Sequence, residues 1–334
     1  MNKTINVAIA GGAGFTGGEL IRLLLNHPDV KITAVLSDSQ NGKPIASVHR
    51  DLTGETDLVF SKDLPPTGTD VLFLCLGHGR SAEFLQTHTT QNISHIIDLS
   101  RDFRFVPKSP CGRLFHYGLP ESYKDPETYT ASIRKAGNIA NPGCFATAIE
   151  LALLPLAAAG LLRKDIHIHA ITGATGAGAL PSDTTHYAWR SNNVSVYKVF
   201  NHQHVPEVEA LLSSVAGNRL PSLFFVPMRG GFSRGIFAGV YTECPLTQEE
   251  ATELYLEYYS RHPFVSVAKE SISLKEVVNT NKCKLYMEKH GNMLYTTSIL
   301  DNLLKGASGT AVQNMNLLAG LPQTTGLNLK ATAF

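Results

Sequence analysis

The stretch "INVAIAGGAGFTGGELIRLLLNHPDVKITAVLSDS", Ile5 to Ser39, reads as a strand, a glycine-rich loop, a helix and a second strand. Ile5 to Ala10 is a short apolar run of the kind that makes a parallel strand buried on both faces. Gly11, Gly14 and Gly17 follow in a GxxGxxG pattern. Glu19, Leu20, Leu23 and Leu24 then carry helical periodicity, "NHPD" ends the helix, and Val30 to Leu36 makes the next strand. Glycines at the turn let a pyrophosphate approach the backbone and lie on a helix N-terminus. In this context the triplet points to a dinucleotide site rather than a merely tight turn.

The residues after the second strand leave the cofactor open. An acid there suits the ribose hydroxyls of NAD, whereas hydroxyl and basic groups suit the extra phosphate of NADP. The chain offers Ser37, Asp38, Ser39, Gln40 and, slightly later, Lys43. The serines could donate to a phosphate, and Asp38 would repel one if it faced it.

Outward from this unit the alternation continues. "DVLFLCLG" and "SHIIDLS" are apolar runs separated by the helical "SAEFLQTH", as in a doubly wound α/β sheet. After Asn141 the texture changes to longer loops and mixed strands such as "SLFFVPM" and "GIFAGVYTE", so a second, α+β domain is expected from there. The length of 334 residues suits two domains. A net charge of +1 without a basic run argues against nucleic-acid and membrane-surface partners. Five widely spaced cysteines, with no CxxC pair, give neither a zinc site nor a secreted disulfide framework. No apolar run approaches the roughly 20 residues that span a bilayer. A cytoplasmic protein without a metal is expected.

Chemistry gathers at "IANPGCFATAIELALLPL", Ile139 to Leu156. Cys144 either caps a core helix as a small apolar residue or is a thiol at a helix mouth, where dipole and free N–H groups favour the thiolate. "YKVFNHQHVPEVEALL" offers His202 and His204 ahead of a helix opened by Pro206 and Glu207. Two arginines, Arg101 and Arg104, stand in "DLSRDFRFVP" among Asp98, Ser100 and Asp102. Two more, Arg229 and Arg234, stand in "MRGGFSRGIF". Each pair reads either as solvated charge or as an anion clamp, since a guanidinium fork suits phosphate and carboxylate. "TGATGAGAL" is either a flexible loop or one that closes over a ligand.

"NPGCFATAIELALLP" closely resembles the active-site signature of the N-acetyl-γ-glutamyl-phosphate reductases of arginine biosynthesis. The resemblance continues through "GGAGFTGGEL", "DLSRDFRF", "HYGLPE", "TGATGAG", "HQHVPE", "SRGI" and "DNLLKGASGTAVQ". Wider relatives are aspartate-semialdehyde and glyceraldehyde-3-phosphate dehydrogenases. The resemblance implies a Rossmann-type NADP-binding domain over 1–141 and 305–334, the last helix returning to it, and a catalytic and oligomerisation domain over 142–304. It implies NADPH-dependent reduction of an acyl phosphate through a cysteine thioester by a homo-oligomer, a dimer or tetramer, with NAD as a possible cofactor. Cys144 would be the nucleophile and His202 the general acid/base, supported by His204 and Glu207. Arg104 would bind the substrate phosphate and Arg234 the glutamyl carboxylate or acyl end, with Asn141 and Gly176 also on the substrate. Gly11, Gly14, Phe15, Thr16, Gly17, Ser37, Ser39, His78 and Asn302 would hold the cofactor, Asn302 at the nicotinamide amide. The chain departs from the common pattern at Asp38, where an arginine is frequent, at Ala174, Thr175 and Ala179 in the glycine-rich loop, and at Met228, where a histidine is frequent.

Overall fold

The computed structural model describes residues 4–333. By contacts the chain divides into two units. The first holds the residues up to Pro120, Glu127–Pro142 and Ala307–Asn328. The second holds Glu121–Pro126, Gly143–Gly306 and the residues from Leu329 on. The division therefore falls a residue or two from the positions read in the sequence. It differs from that reading in assigning 121–126, and the chain beyond Asn328, to the second unit.

The first unit is built on β1 (Ile5–Ala10), α1 (Phe15–Leu25), β2 (Val30–Leu36), β3 (Phe60–Ser61), β4 (Val71–Leu74), α2 (Arg80–Thr87), β5 (His95–Asp98), β6 (Phe115–Tyr117), α3 (Pro126–Ala136) and β7 (Asn138–Ala140). The seven strands pair in parallel in the order β3-β2-β1-β4-β5-β7-β6. Burial on both faces explains why β1 and β4 are apolar without alternation. The turn after β1 is tight because Gly11 and Gly12 both donate their N–H to the Leu36 carbonyl at 3.0 Å. Gly11 has φ +81°, and a Cβ there would lie 2.4 Å from the Cys75 carbonyl oxygen. A Cβ at Gly17 would meet the Gly11 carbonyl oxygen at 2.7 Å, so only glycine lets α1 sit on its own loop.

The second unit contributes α4 (Cys144–Ala158), β8 (Ile166–Thr172), α5 (Tyr187–Arg190), β9 (Ser195–Val196), α6 (Val205–Ala216), β10 (Leu223–Arg229), β11 (Ile236–Glu243), α7 (Gln248–Tyr259), β12 (Val265–Val267), β13 (Cys283–His290) and β14 (Met293–Leu300). Its sheet is mixed, in the order β12-β13-β14-β11-β8-β10-β9. The final helix, α8 (Gly309–Ala319), belongs to the first unit and packs on α1, where Ser308 Oγ donates to the Thr16 carbonyl at 2.9 Å. No helix among the described residues is long and apolar enough to cross a membrane.

Helix α4 is apolar all round and buried almost to its end, packed on β11, β14 and α6. It contains Pro155, which has no N–H to give the Leu151 carbonyl one turn back. Tyr259 Oη on α7 donates to that carbonyl instead, and Tyr255 Oη donates to the neighbouring Ala152 carbonyl. Two tyrosines one turn apart on α7 thus satisfy the weak point of the central helix. Tyr259→Phe keeps the ring and strands the Leu151 oxygen. It should lower unfolding free energy by about 1–3 kcal/mol, the usual cost of a buried unsatisfied group. The urea midpoint of the second unit measures this, and an unchanged midpoint would refute it.

Candidate active site

Cys144 is the first residue of α4, behind Gly143 as N-cap, and its side chain is half-buried. The first N–H groups of a helix have no intrahelical partners, so the thiol sits where donors converge. Glu207, in the first turn of α6, is 2% exposed and accepts the Gly143 N–H on Oε1 at 2.7 Å. That bond joins the two helix starts. On the other side, Gly306 lies so close that an added Cβ would be 2.7 Å from Cys144 Cβ.

An aromatic cluster fills the ground beside the thiol. The Phe145 ring meets His202, His204 and Phe225 edge-on at centroid distances of 5.6, 6.3 and 5.2 Å. His202 lies 4.7 Å from His204 and 5.7 Å from Tyr197. Arg229 places its guanidinium 4.8 Å from the Tyr197 ring centroid. Tyr197 is pushed up to about 12, first by burial and then by the charge of Cys144. The approach loop carries two non-glycine residues with left-handed backbone, Lys198 at φ +48° and Phe200 at +56°. Such strain persists where surrounding structure over-determines it.

The surroundings of His202 bear on the proton transfer expected of it. Its ordinary value near neutrality suits proton transfer, but here it is pushed down to about 4 by burial and then by the charges of Lys198 and Arg229. Its Nδ1 accepts the His204 backbone N–H at 3.2 Å. The neutral ring therefore carries its proton on Nε2, and His202 is a hydrogen-bond donor at neutral pH.

The other cysteines differ. Burial pushes the Cys75 thiol far up and Cys283 up to about 12, while Cys244 is buried and Cys111 exposed. Arg104 donates from Nε to the Asn141 carbonyl at 2.9 Å and from a terminal nitrogen to the Leu99 carbonyl at 3.2 Å. Asn141 is fully buried and donates to the Ala307 carbonyl at 3.1 Å. The acids near Arg104 serve the backbone and hydroxyls. Asp102 accepts from the N–H groups of Gly79, Ser81 and Ala82 at the head of α2, and Asp98 accepts from the Ser81 and Ser100 hydroxyls. His78 Nδ1 accepts the Arg101 N–H at 3.3 Å.

Arg234, expected at the substrate, forms a two-point ion pair with Asp301, at 3.0 Å from Nε and 3.3 Å from a terminal nitrogen, and the Asp301 carboxylate is fully buried. Asn302, expected at the nicotinamide, accepts the Gly235 N–H at 2.7 Å and donates to Thr175 Oγ1 at 3.0 Å. It ties down the glycine-rich loop, where a Cβ at Gly176 would lie 3.2 Å from Thr172 Oγ1. Met228 faces away from the thiol, into a surface hollow with His169, Ile171, Phe237 and Tyr295.

In the first unit a cleft of about 430 Å³ opens beside the glycine loop. Gly11, Ser37, Asp38 and Ser39 line it, together with Glu83, His88 and the cations Lys62 and Arg80. These two cations are absent from the sequence reading: Lys62 follows a two-residue strand and Arg80 opens a short helix, so neither carries a motif. Lys43, counted there as a compensating charge, instead donates to Gln40 Oε1 at 3.1 Å and does not line the cleft. A Cβ at Gly14 would meet only the Gly11 carbonyl oxygen, at 3.8 Å, so the helix start is open to a ligand. Phe15, the first residue of α1, is exposed there. Tyr197 is the other residue missed; only the fold brings it to Cys144.

Comparison with known proteins agrees with this division. The semialdehyde dehydrogenase NAD-binding domain family matches residues 6–128, and the semialdehyde dehydrogenase dimerisation domain family matches 144–302. N-acetyl-gamma-glutamyl-phosphate reductase of Azobacteroides pseudotrichonymphae is 54% identical over 99% of this chain and all of its own length. The enzyme of that name from Phocaeicola vulgatus is 49% identical over the same shares. Among solved structures, aspartate semialdehyde dehydrogenase II of Vibrio cholerae superposes with a TM-score of 0.72 at 16% identity, over 96% of this chain and 99% of that one. The NADP complex of the Candida albicans aspartate semialdehyde dehydrogenase gives 0.69 at 13% identity, over 95% and 98%.

The depressed His202 has a consequence for stability. Its folded value lies below the unfolded one near 6.5, so the unfolded chain takes up the proton first as pH falls. The contribution is present above about pH 6.5 and is lost progressively toward pH 4. Substituting His202→Gln should flatten this part of the stability–pH curve relative to the native chain. Parallel curves for the two proteins would contradict the assignment.

Proposed function

The chain belongs to the N-acetyl-gamma-glutamyl-phosphate reductase family, and we propose that it reduces N-acetyl-gamma-glutamyl phosphate to N-acetylglutamate semialdehyde and phosphate, reversibly, in arginine biosynthesis. The observation that carries this is the half-buried Cys144 at the head of a buried helix, with a neutral histidine donor in the adjoining aromatic cluster. The Cys144 thiolate attacks the γ-carbonyl, and the N–H groups at the start of α4 receive the oxyanion. The phosphate leaves, and an acyl thioester on Cys144 remains. Arg104, fixed by its bonds to the Asn141 and Leu99 carbonyls, is proposed for the leaving phosphate. NADPH, when bound, would supply the hydride that reduces the thioester carbon. The tetrahedral alkoxide then collapses to the aldehyde and expels the thiolate, which needs no proton at that step. His202 stabilises that alkoxide by donating a hydrogen bond from Nε2, and the net proton of the reaction ends on phosphate.

Several residues support the cofactor side. The glycine loop and the open start of α1 fit a pyrophosphate. Lys62 and Arg80 line the same cleft as Ser37 and Ser39 and support the additional phosphate of NADPH, with Asp38 and Glu83 on the same cleft acting against it. The free, unbridged cysteines suit a cytoplasmic enzyme. The half-exposed apolar face of the mixed sheet around Ile171, Met228 and Phe237, within the match to a dimerisation domain, supports a homo-oligomer.

The test is phosphate-dependent reduction of NADP by N-acetylglutamate semialdehyde. Cys144→Ser should lose at least about a thousandfold in turnover, since a hydroxyl is a far weaker nucleophile than a thiolate. His202→Ala should lose about 10²–10³-fold, as for a missing oxyanion donor, with the KM for cofactor unchanged. Retained activity in Cys144→Ser would end the proposal. For the cofactor, kcat/KM should favour NADPH. Lys62→Ala should narrow that preference and Asp38→Arg widen it, each by several-fold or more, given partly screened couplings on the order of 1–3 kcal/mol. A native preference for NADH would refute the phosphate site.

A further inference from the structure

Arg229 ends β10, a strand in which Leu223, Phe225 and Pro227 are buried while Phe224, Val226 and Met228 are partly exposed. Alternation puts Arg229 on the Phe225 side, where Phe225 packs against Phe145 at 5.2 Å and His202 at 5.4 Å. Cys144 is close to the same cluster, since its charge acts on Tyr197. The guanidinium lies over Tyr197. Its Nε is buried with no hydrogen-bond partner, and Arg229 forms no ion pair with a carboxylate among the described residues. Its charge reaches His202, as does that of Lys198.

The neighbouring arginines are already committed. Arg234 is held by the buried Asp301. Arg190 donates to the Thr184, Asn193 and Arg229 carbonyls and to Ser195 Oγ, which pins the loop before β9. Arg229 itself is half-buried, but its Nε is shut off from water, and such a donor is costly unless an acceptor completes it. Tyr197 lies against one flat face of the guanidinium and also shares a side-chain hydrogen bond with it, and the donors left on its edge suit a carboxylate.

We propose that Arg229, seated on Tyr197, binds the free α-carboxylate of the substrate and fixes the acyl chain before Cys144. Arg234 then holds the loop through Asp301 rather than the ligand. This rests on the reading of the chain as a reductase of N-acetylglutamyl phosphate.

The reverse reaction separates the two anions, because the semialdehyde carries the carboxylate and inorganic phosphate is a separate substrate. Arg229→Gln should raise the KM for N-acetylglutamate semialdehyde about 10- to 100-fold, the worth of a charged hydrogen bond, and leave the KM for phosphate unchanged. Arg229→Lys should fall between, keeping charge without the fork. The α-amide of the semialdehyde provides the readout that a merely structural role would not move. The native protein should discriminate strongly against it, and Arg229→Gln should handle acid and amide nearly alike. Turnover of the amide also reports that the variant is folded. Discrimination equal to the native protein's, or a raised KM for phosphate alone, would overturn the assignment. A native protein without phosphate-dependent NADP reduction would instead overturn the reductase reading itself.

Discussion

One hydrogen bond joins the two helix starts around which the candidate site is built, from the Gly143 N–H to the buried Glu207 carboxylate. It ties the start of the nucleophile's helix to the first turn of α6, so the loop that delivers Tyr197, His202 and His204 is anchored at its far end. An acid in the first turn of a helix is stabilised by the dipole. Here it stands at two helix starts at once, which helps stabilise a carboxylate only 2% exposed. The near end of the loop is fixed by β9 on β10 and by Arg190. Between these anchors the backbone can be driven into left-handed conformations at Lys198 and Phe200.

A second constraint closes on Cys144 from behind. The turn Leu304–Ser308 is a π-helix, a form found mostly at functional sites. It carries Lys305, wholly buried and paired with the wholly buried Glu121 at 2.7 Å, immediately before Gly306. A buried ion pair is weak evidence for stability but a strong determinant of register. Sliding this turn would separate two charges in a dry interior. Gly306 is thereby held where only a glycine fits against Cys144.

The β1–α1–β2 unit was legible to its strand ends, because an apolar run, glycines and "NHPD" each have a local meaning. The place of Cys144 at a helix start was legible for the same reason, and so was the start of α6. What the sequence could not show depends on distant partners. Arg229 and Arg234 stand five positions apart in one segment and read alike as possible clamps. Only Asp301, 67 residues beyond Arg234, tells them apart. Lys62 and Arg80 reach the cleft beside Ser37 and Ser39 because neighbouring strands and helix starts converge there, and no spacing rule announces it. Asp38 posed a question of charge at this cleft that the sequence alone could not frame, because the other charged residues lining it, Lys62, Arg80 and Glu83, are distant in sequence.

The burial that keeps His202 neutral could not be inferred from residue type at all, and it bears on the mechanism proposed above. A histidine near neutrality would exchange protons with the adduct on Cys144. This one is buried among Phe145, Tyr197 and Phe225, with Lys198 and Arg229 adding positive charge, and is held neutral. The His204 N–H fixes which nitrogen bears the proton. A neutral donor suits a reaction whose tetrahedral intermediate collapses by expelling a thiolate, since the alkoxide must be stabilised and then released without being protonated. A cationic histidine would hold that alkoxide more tightly and trap it as the thiohemiacetal. The same positive surroundings that deny His202 a proton also await an anionic substrate, so one arrangement of charge serves binding and keeps the donor in its working form.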